Sequence, residues 1–221
     1  MIAQPSTGAS PAPGQPAPAA TVVVPDWGNQ VSAFQTRQPA FWLFAVVIGI
    51  CAILLATQEF EYLRYSPIAF VLGVVLLAIF AVPIFLLIGV LDLFEREPLS
   101  LMVAAFLWGA IAVFPLALAT NNALIELWVK LLGAGLGIGW LAAIIPPPVE
   151  EILKFLGVCT VFLIARSEFD DVLDGFVYGA LVGLGFQVTE DMFYFFTHFI
   201  GPAQGANEIG ALIEGYWIRV I

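Results

Sequence analysis

Residues Pro67 to Leu91 read PIAFVLGVVLLAIFAVPIFLLIGVL, an unbroken stretch without one charged side chain. A hydrocarbon core of roughly 30 Å accepts about 20 consecutive apolar residues as a helix, so this run is long enough to cross a bilayer. The rest of the chain agrees with it. Of 221 residues, 61% are hydrophobic and only 11% charged, and the mean hydropathy is +0.99. Those values lie far outside the range of soluble domains and place the chain among integral membrane proteins. The fold expected is all-α, a polytopic transmembrane helical bundle of about six membrane segments, the last incomplete.

Towards the N-terminus, a span over about Ala40 to Thr57 precedes the polar stretch QEFEYLRYSP, which reads as a loop. Residues 1–38, containing STGASPAPGQPAPAA, have the Pro, Ala, Ser and Gly content of a disordered tail and lack the basic head and cleavage site of a signal peptide. The transmembrane domain then occupies 39–221. Towards the C-terminus, DLFEREP links the opening stretch to a third span from about Leu99 to Thr120.

Asn121 to Ile145 is open to several readings, because Glu126 and Lys130 sit one turn apart while GAGLGIG is glycine-dense: it could cross, lie at the interface, or re-enter. The triplet Pro146 to Pro148 ends it, and Pro148 suits the first position of a helix reaching about Ala165. RSEFDD leads into a long helix from about Val172 to Phe199, and a last apolar segment starts near Ile209. If 121–145 does not cross, Arg37, Arg96 and Arg166 share one side, which puts the N-terminus in the cytoplasm.

The formal charge of -10 is not spread over a watery surface, since many acids sit beside or inside apolar runs. No basic patch exists for nucleic acid. Membrane lipid and a membrane-protein substrate are the partners expected. Cys51 and Cys159 lie in separate spans without paired spacing and read as buried apolar thiols.

Candidate chemistry lies in those acids. If Pro148 opens its helix, Glu150 and Glu151 occupy the first turn, where the helix dipole favours carboxylates, and Lys154 follows Glu150 one turn on. A capped, ion-paired helix start explains that triplet as well as function does. Glu190 is different. Deep in an apolar span, a carboxylate costs roughly 2.5–3.5 kcal/mol to insert and needs compensation. Gly175, Gly179, Gly183, Phe186 and Glu190 share one helix face at 100° per residue, and small residues let a neighbouring helix approach. The expected neighbour carries Glu150, Glu151 and Lys154. Asp191 points elsewhere, to the aqueous edge or another helix. Carboxylates grouped in a partly desolvated pocket can take a proton from water and pass it on, as peptide hydrolysis requires. The sole histidine, His198, reads as interfacial. Asp170, Asp171 and Asp174 spell DDxxD, which holds magnesium in prenyl-transferring enzymes but serves equally well as a helix cap.

Glu150-Glu151-x-x-Lys154 followed by Phe186-x-x-x-Glu190, flanked by DLFEREP and DDVLDGFVYGALVGLG, resembles the first two motifs of the PrsW intramembrane proteases. The resemblance implies a hydrolase of regulated proteolysis in a bacterial cytoplasmic membrane, cleaving a membrane-associated protein of the anti-sigma-factor kind. It implies that Glu150 or Glu151 activates water, with Lys154 and Glu190 in the same site and Phe186, Gly179 and Gly183 packing the helix or meeting substrate. Family members are described as metalloproteases, which implies a Zn2+ that Glu151 and Glu190 could help to hold, while related enzymes have been read as glutamate-dependent. The family's third motif, a histidine on a following helix, has no counterpart before Ile221, so the chain is expected to be C-terminally truncated. The alternatives are a catalytically incomplete membrane protein that binds a partner and a prenyl-transferring enzyme using DDxxD.

Overall fold

The computed structural model describes residues 32–91, 97–133, 138–169, 171–203 and 207–220. Of the expected tail, residues 1–31 fall outside that set, as does Asp170; the described Ala33 is tethered, its amide donating to Ser100 Oγ at 3.1 Å. Every element among the described residues is helical.

Helix α1 runs Pro39–Tyr65 and α2 Pro67–Leu91, separated by Ser66 alone. The stretch QEFEYLR therefore continues α1 instead of looping, since nothing in it breaks a helix until Ser66 and the proline that follows. Pro83 lies inside α2 without ending it.

The third span also outruns its expected end. Helix α3 (Leu99–Leu107), a π-turn (Trp108–Val113) and α4 (Phe114–Leu132) form one continuous 34-residue stretch with no break at Thr120. The π-turn has a local cause. Pro115 has no amide to offer the carbonyl of Ile111, and the helix widens just before it. The stretch stops at Gly133, whose φ of 77° suits a residue without a side chain. Asn121 to Leu132 is thus the end of a rod, and the short α5 (Ile138–Ile144) follows.

Helix α6 (Pro146–Ile164) begins two residues earlier than Pro148. Its prolines fill the first three positions, where an amide would have no intrahelical partner anyway. Helix α7 runs Val172–Tyr194, continues as a π-turn (Phe195–Ile200), and is followed by α8 (Glu208–Arg219). Asp171 caps α7: its side chain accepts from the Val172 amide at 2.5 Å, and Asp174 accepts from the Asp171 amide at 2.9 Å. The two described acids of DDxxD are engaged as a capping box.

Four stretches are long and apolar enough to cross a membrane: Pro39–Tyr65, Pro67–Val90, Leu99–Leu132 and Val172–Ile200. The protein is integral to the membrane. Helix α6, with three charges in its first half, and the short α8 fall outside those four, so the expected count of about six is met only if both are added.

Helix α7 occupies the centre, packed by α2, α3, α6 and the first π-turn, with Tyr178, Leu181 and Val182 fully buried. Helix α1 lies outermost: it buries Cys51 and turns Trp42, Val46, Ile50 and Ile53 outward, as a lipid-facing helix does. The tightest helix approaches at described glycines are not along the expected glycine face. A Cβ on Gly109 would stand 1.9 Å from the Val182 carbonyl oxygen, and one on Gly185 2.1 Å from that of Phe106, so α7 meets the α3 rod backbone to backbone. By contrast, Cβ atoms on Gly175 and Gly183 would meet nothing within 4 Å, and one on Gly179 only Val158, at 4.0 Å.

Candidate active site

The start of α6 at Pro146 moves Glu150 and Glu151 out of the first turn, where the helix dipole acts, and into the second. Dipole matching therefore explains little of their placement. Side-chain direction explains more. Successive residues point about 100° apart, so the two carboxylates diverge. Glu151 turns out to solvent, with 71% of its side chain exposed, and pairs with Lys154 at 2.9 Å. Lys154 lies one turn on from Glu150 but bonds Glu151, and it lays its ammonium 4.3 Å from the Phe186 ring centre.

Glu150 turns inward. It lines a cavity of about 110 Å³ together with Glu190 and Phe186 of α7, Phe114 and Asn121 of α4, and Pro146. At about 30 Å³ per water, that volume suits roughly three to four water molecules. Two carboxylates 40 positions apart in sequence thus share one small cavity. Glu150 has no hydrogen bond or ion pair from the described residues. It lies outside the four long apolar stretches, and its carboxyl is pushed above the usual carboxylate range by burial first and then by the charge of Glu190, against the opposing pull of Lys154.

The α4 rod holds this arrangement in place. Trp108, in its π-turn, donates its indole N–H to the Leu153 carbonyl at 3.1 Å, and Gly157 leaves room for the ring, since a Cβ there would come within 2.3 Å of it. On the α7 side, the Thr189 hydroxyl donates to the Ala110 carbonyl at 2.6 Å, satisfying an acceptor in the widened turn. The π-turn thereby registers α6 and α7 to the same rod beside the cavity.

Glu190 is compensated from α8. Arg219 donates to Glu190 through Nη2 at 2.7 Å and to Asp191 through Nε at 3.0 Å, and its guanidinium lies 4.0 Å from the Tyr194 ring centre. Asp191 is fully buried and also accepts from Gln187 at 2.7 Å; of the two directions open to it in the sequence, it takes the one towards another helix. Asn121 lines the same cavity as the glutamates, and its buried Oδ1 has no hydrogen-bond partner among the described residues. His198 is exposed, contacts Thr197 at 2.7 Å and Tyr194, and does not line the cavity.

Arg219 and Asn121 escaped the sequence reading. Arg219 is the sole cation of α8 and follows two adjacent acids on α7, a charge match that would have pointed to it. Asn121 carried a fainter signal, an amide interrupting an apolar run.

The donors at the cavity are two carboxylates and an amide oxygen. Zinc sites draw on imidazole or thiolate, and no group of three or more His, Cys, Asp or Glu gathers among the described residues. These residues do not make a zinc site.

A profile of the PrsW family intramembrane metalloproteases matches residues 97–221. The protease PrsW of Geobacillus kaustophilus (strain HTA426) is 33% identical over 103 residues, covering 47% of this chain and 43% of that protein. The protease PrsW of Bacillus subtilis (strain 168) is 28% identical over 107 residues, covering 48% of this chain and 46% of that protein. The chain thus spans about half the length of the curated relatives it matches, or slightly less. No solved structure matches it.

Proposed function

The chain belongs to the PrsW family of intramembrane metalloproteases, and from that premise we propose that the Glu150–Glu190 cavity is the hydrolytic centre of an endopeptidase that cleaves a membrane-associated protein in or beside the bilayer. The observation that carries the reading is the convergence of these two carboxylates, from separate helices, on one small cavity with room for a few waters.

The two glutamates are equipped for different tasks. Glu190 has a counter-ion in Arg219 and serves as fixed negative charge at the cavity wall. Glu150 has no such partner among the described residues, and its raised proton affinity makes it the general base. It takes a proton from a water in the cavity as the water oxygen bonds to the scissile carbonyl carbon. It then returns that proton to the amide nitrogen as the C–N bond breaks. Lys154, against the Phe186 ring, pairs with the outward Glu151 and not with Glu150.

The substrate class to try first is the anti-sigma-factor-like membrane protein that the family resemblance implies, with the N-terminus cytoplasmic in a bacterial cytoplasmic membrane.

The test is cleavage of a co-expressed, membrane-anchored reporter. Glu150→Gln should lower turnover by about 100-fold or more, whereas Glu151→Gln should stay within about threefold. Equal losses in the two variants would remove the role distinction, and full activity of Glu150→Gln would remove the site.

A further inference from the structure

A second cleft lies on the opposite side of α7, and it is built for a different occupant. It encloses about 350 Å³ between α1, α2, α3 and α7, with Val74 and Val82 of α2, Phe106 and Met192 among its walls. Glu59 is the sole charged residue lining it and has no hydrogen bond or ion pair from the described residues. The other polar residue there, Thr189, has its hydroxyl committed to the Ala110 carbonyl.

Depth gives the cleft a polarity. The apolar part of α1 ends at Thr57, and QEFEYLR follows, so Glu59 belongs to the polar end of that helix. Helices α1 and α2 pack on one another across a single-residue junction and so run antiparallel. Glu59 precedes Ser66 by seven residues and Val74 follows it by eight, which places both roughly 10–12 Å from the junction. From Val74 the cleft continues to Val82, about 12 Å further into the bilayer, against roughly 15 Å for one leaflet of hydrocarbon. One carboxylate at the polar end of α1 therefore opens onto an apolar slot that runs along α2 away from the junction.

We propose that this cleft is a binding site for a single lipid with a primary-ammonium headgroup, its ammonium on Glu59 and the first part of one acyl chain along α2 between Val74 and Val82. The carboxylate selects the headgroup. A primary ammonium brings three N–H donors and forms charge-assisted hydrogen bonds with it; a quaternary ammonium brings none, and an anionic headgroup is repelled. The site stands apart from the hydrolytic reading, because Val188, Thr189 and Met192 face this cleft while Phe186, Glu190 and Phe193 face the other.

The test uses the full chain in nanodiscs made from equal parts phosphatidylethanolamine, phosphatidylcholine and phosphatidylglycerol, with retained lipid counted by native mass spectrometry after release into detergent. Phosphatidylethanolamine should be retained about tenfold over phosphatidylcholine. In Glu59→Gln, which keeps side-chain volume, the preference should fall to near parity. Ala78→Trp fills the slot but leaves Glu59 in place, and it should lower retention of every lipid. A photocrosslinker at Val74 should label lipid. Equal retention of the three lipids, a preference that survives Glu59→Gln, retention unchanged in Ala78→Trp, or labelling of a polypeptide at Val74 would each overturn the proposal. None of these readouts depends on cleavage.

Discussion

Two pairs of adjacent acids, Glu150-Glu151 on α6 and Glu190-Asp191 on α7, look alike in sequence and are handled differently by the fold. On α6 the pair splits: one carboxylate enters the cavity, and the other goes to solvent with Lys154. On α7 both stay inside and share Arg219. Surroundings account for the difference. Helix α7 is enclosed by α2, α3, α6 and α8, so a carboxylate leaving one face meets another helix. Helix α6 has an open flank, shown by exposed Ile152 and Phe155, and a side chain pointing there needs no built partner. Adjacency in sequence thus confers no shared role; the number of neighbouring helices assigns it.

The sharpest way to break this comparison is to disturb the enclosure of α7. Gly185→Ala should destabilise the protein by about 3 kcal/mol, because its Cβ would stand 2.1 Å from a backbone oxygen that cannot withdraw. Gly183→Ala, two positions away and facing open space, should be neutral or stabilising by up to about 1 kcal/mol. Thermal unfolding of both variants in detergent checks the contrast, and similar melting temperatures would show that α7 is not held as described.

Removing the shared cation should come next in size. Arg219→Met leaves Asp191, fully buried, and Glu190 without their counter-ion and should cost about 2–3 kcal/mol, somewhat below a fully buried pair because Arg219 keeps 27% of its side chain exposed. Arg219→Lys should recover part of this, since an ammonium cannot serve both acids with the planar fork of a guanidinium. Full recovery by lysine would reduce the bidentate bridge to simple charge.

The pH dependence of stability separates the acids of α6 more gently. A Glu150 whose carboxyl is raised by burial binds its proton more tightly folded than unfolded. Its favourable contribution is complete below the ordinary glutamate value of 4.5 and is lost as pH rises through the raised one. Melting temperatures of wild type should therefore fall relative to Glu150→Gln as pH increases from 4.5. Parallel curves would place Glu150 in water.

The smallest effect belongs to the outward member. Glu151→Gln breaks an exposed pair one turn apart and should change stability by less than about 0.5 kcal/mol. A larger loss would mean that Glu151 is not the solvent-facing half of its pair.

How much of this was legible depends on the kind of interaction. Apolar runs announce membrane helices because the bilayer imposes a length and forbids unpaired backbone groups, so α2 is found at its expected bounds and α7 nearly so. Element ends were harder. QEFEYLR reads as a loop by polarity, yet a helix protruding past the hydrocarbon can carry polar residues, and α1 simply continues. The π-turn before Pro115 and the unbroken passage through Thr120 follow from backbone hydrogen bonding that a hydropathy pattern does not register.

By itself, then, the sequence determined that this chain is an all-helical membrane protein, which acids stand out as expensive to bury, and which motifs carry the family resemblance. Composition and short-range spacing suffice for those, since each is a property of a residue and its own helix. Only the tertiary structure decided that Glu150 and not Glu151 shares a cavity with Glu190, that Gly109 and Gly185 make the tightest approaches at described glycines in place of the expected glycine face, and that Arg219 and Asn121 join the site. Those outcomes rest on the rotation and register of one helix against another, which packing sets after each helix has formed.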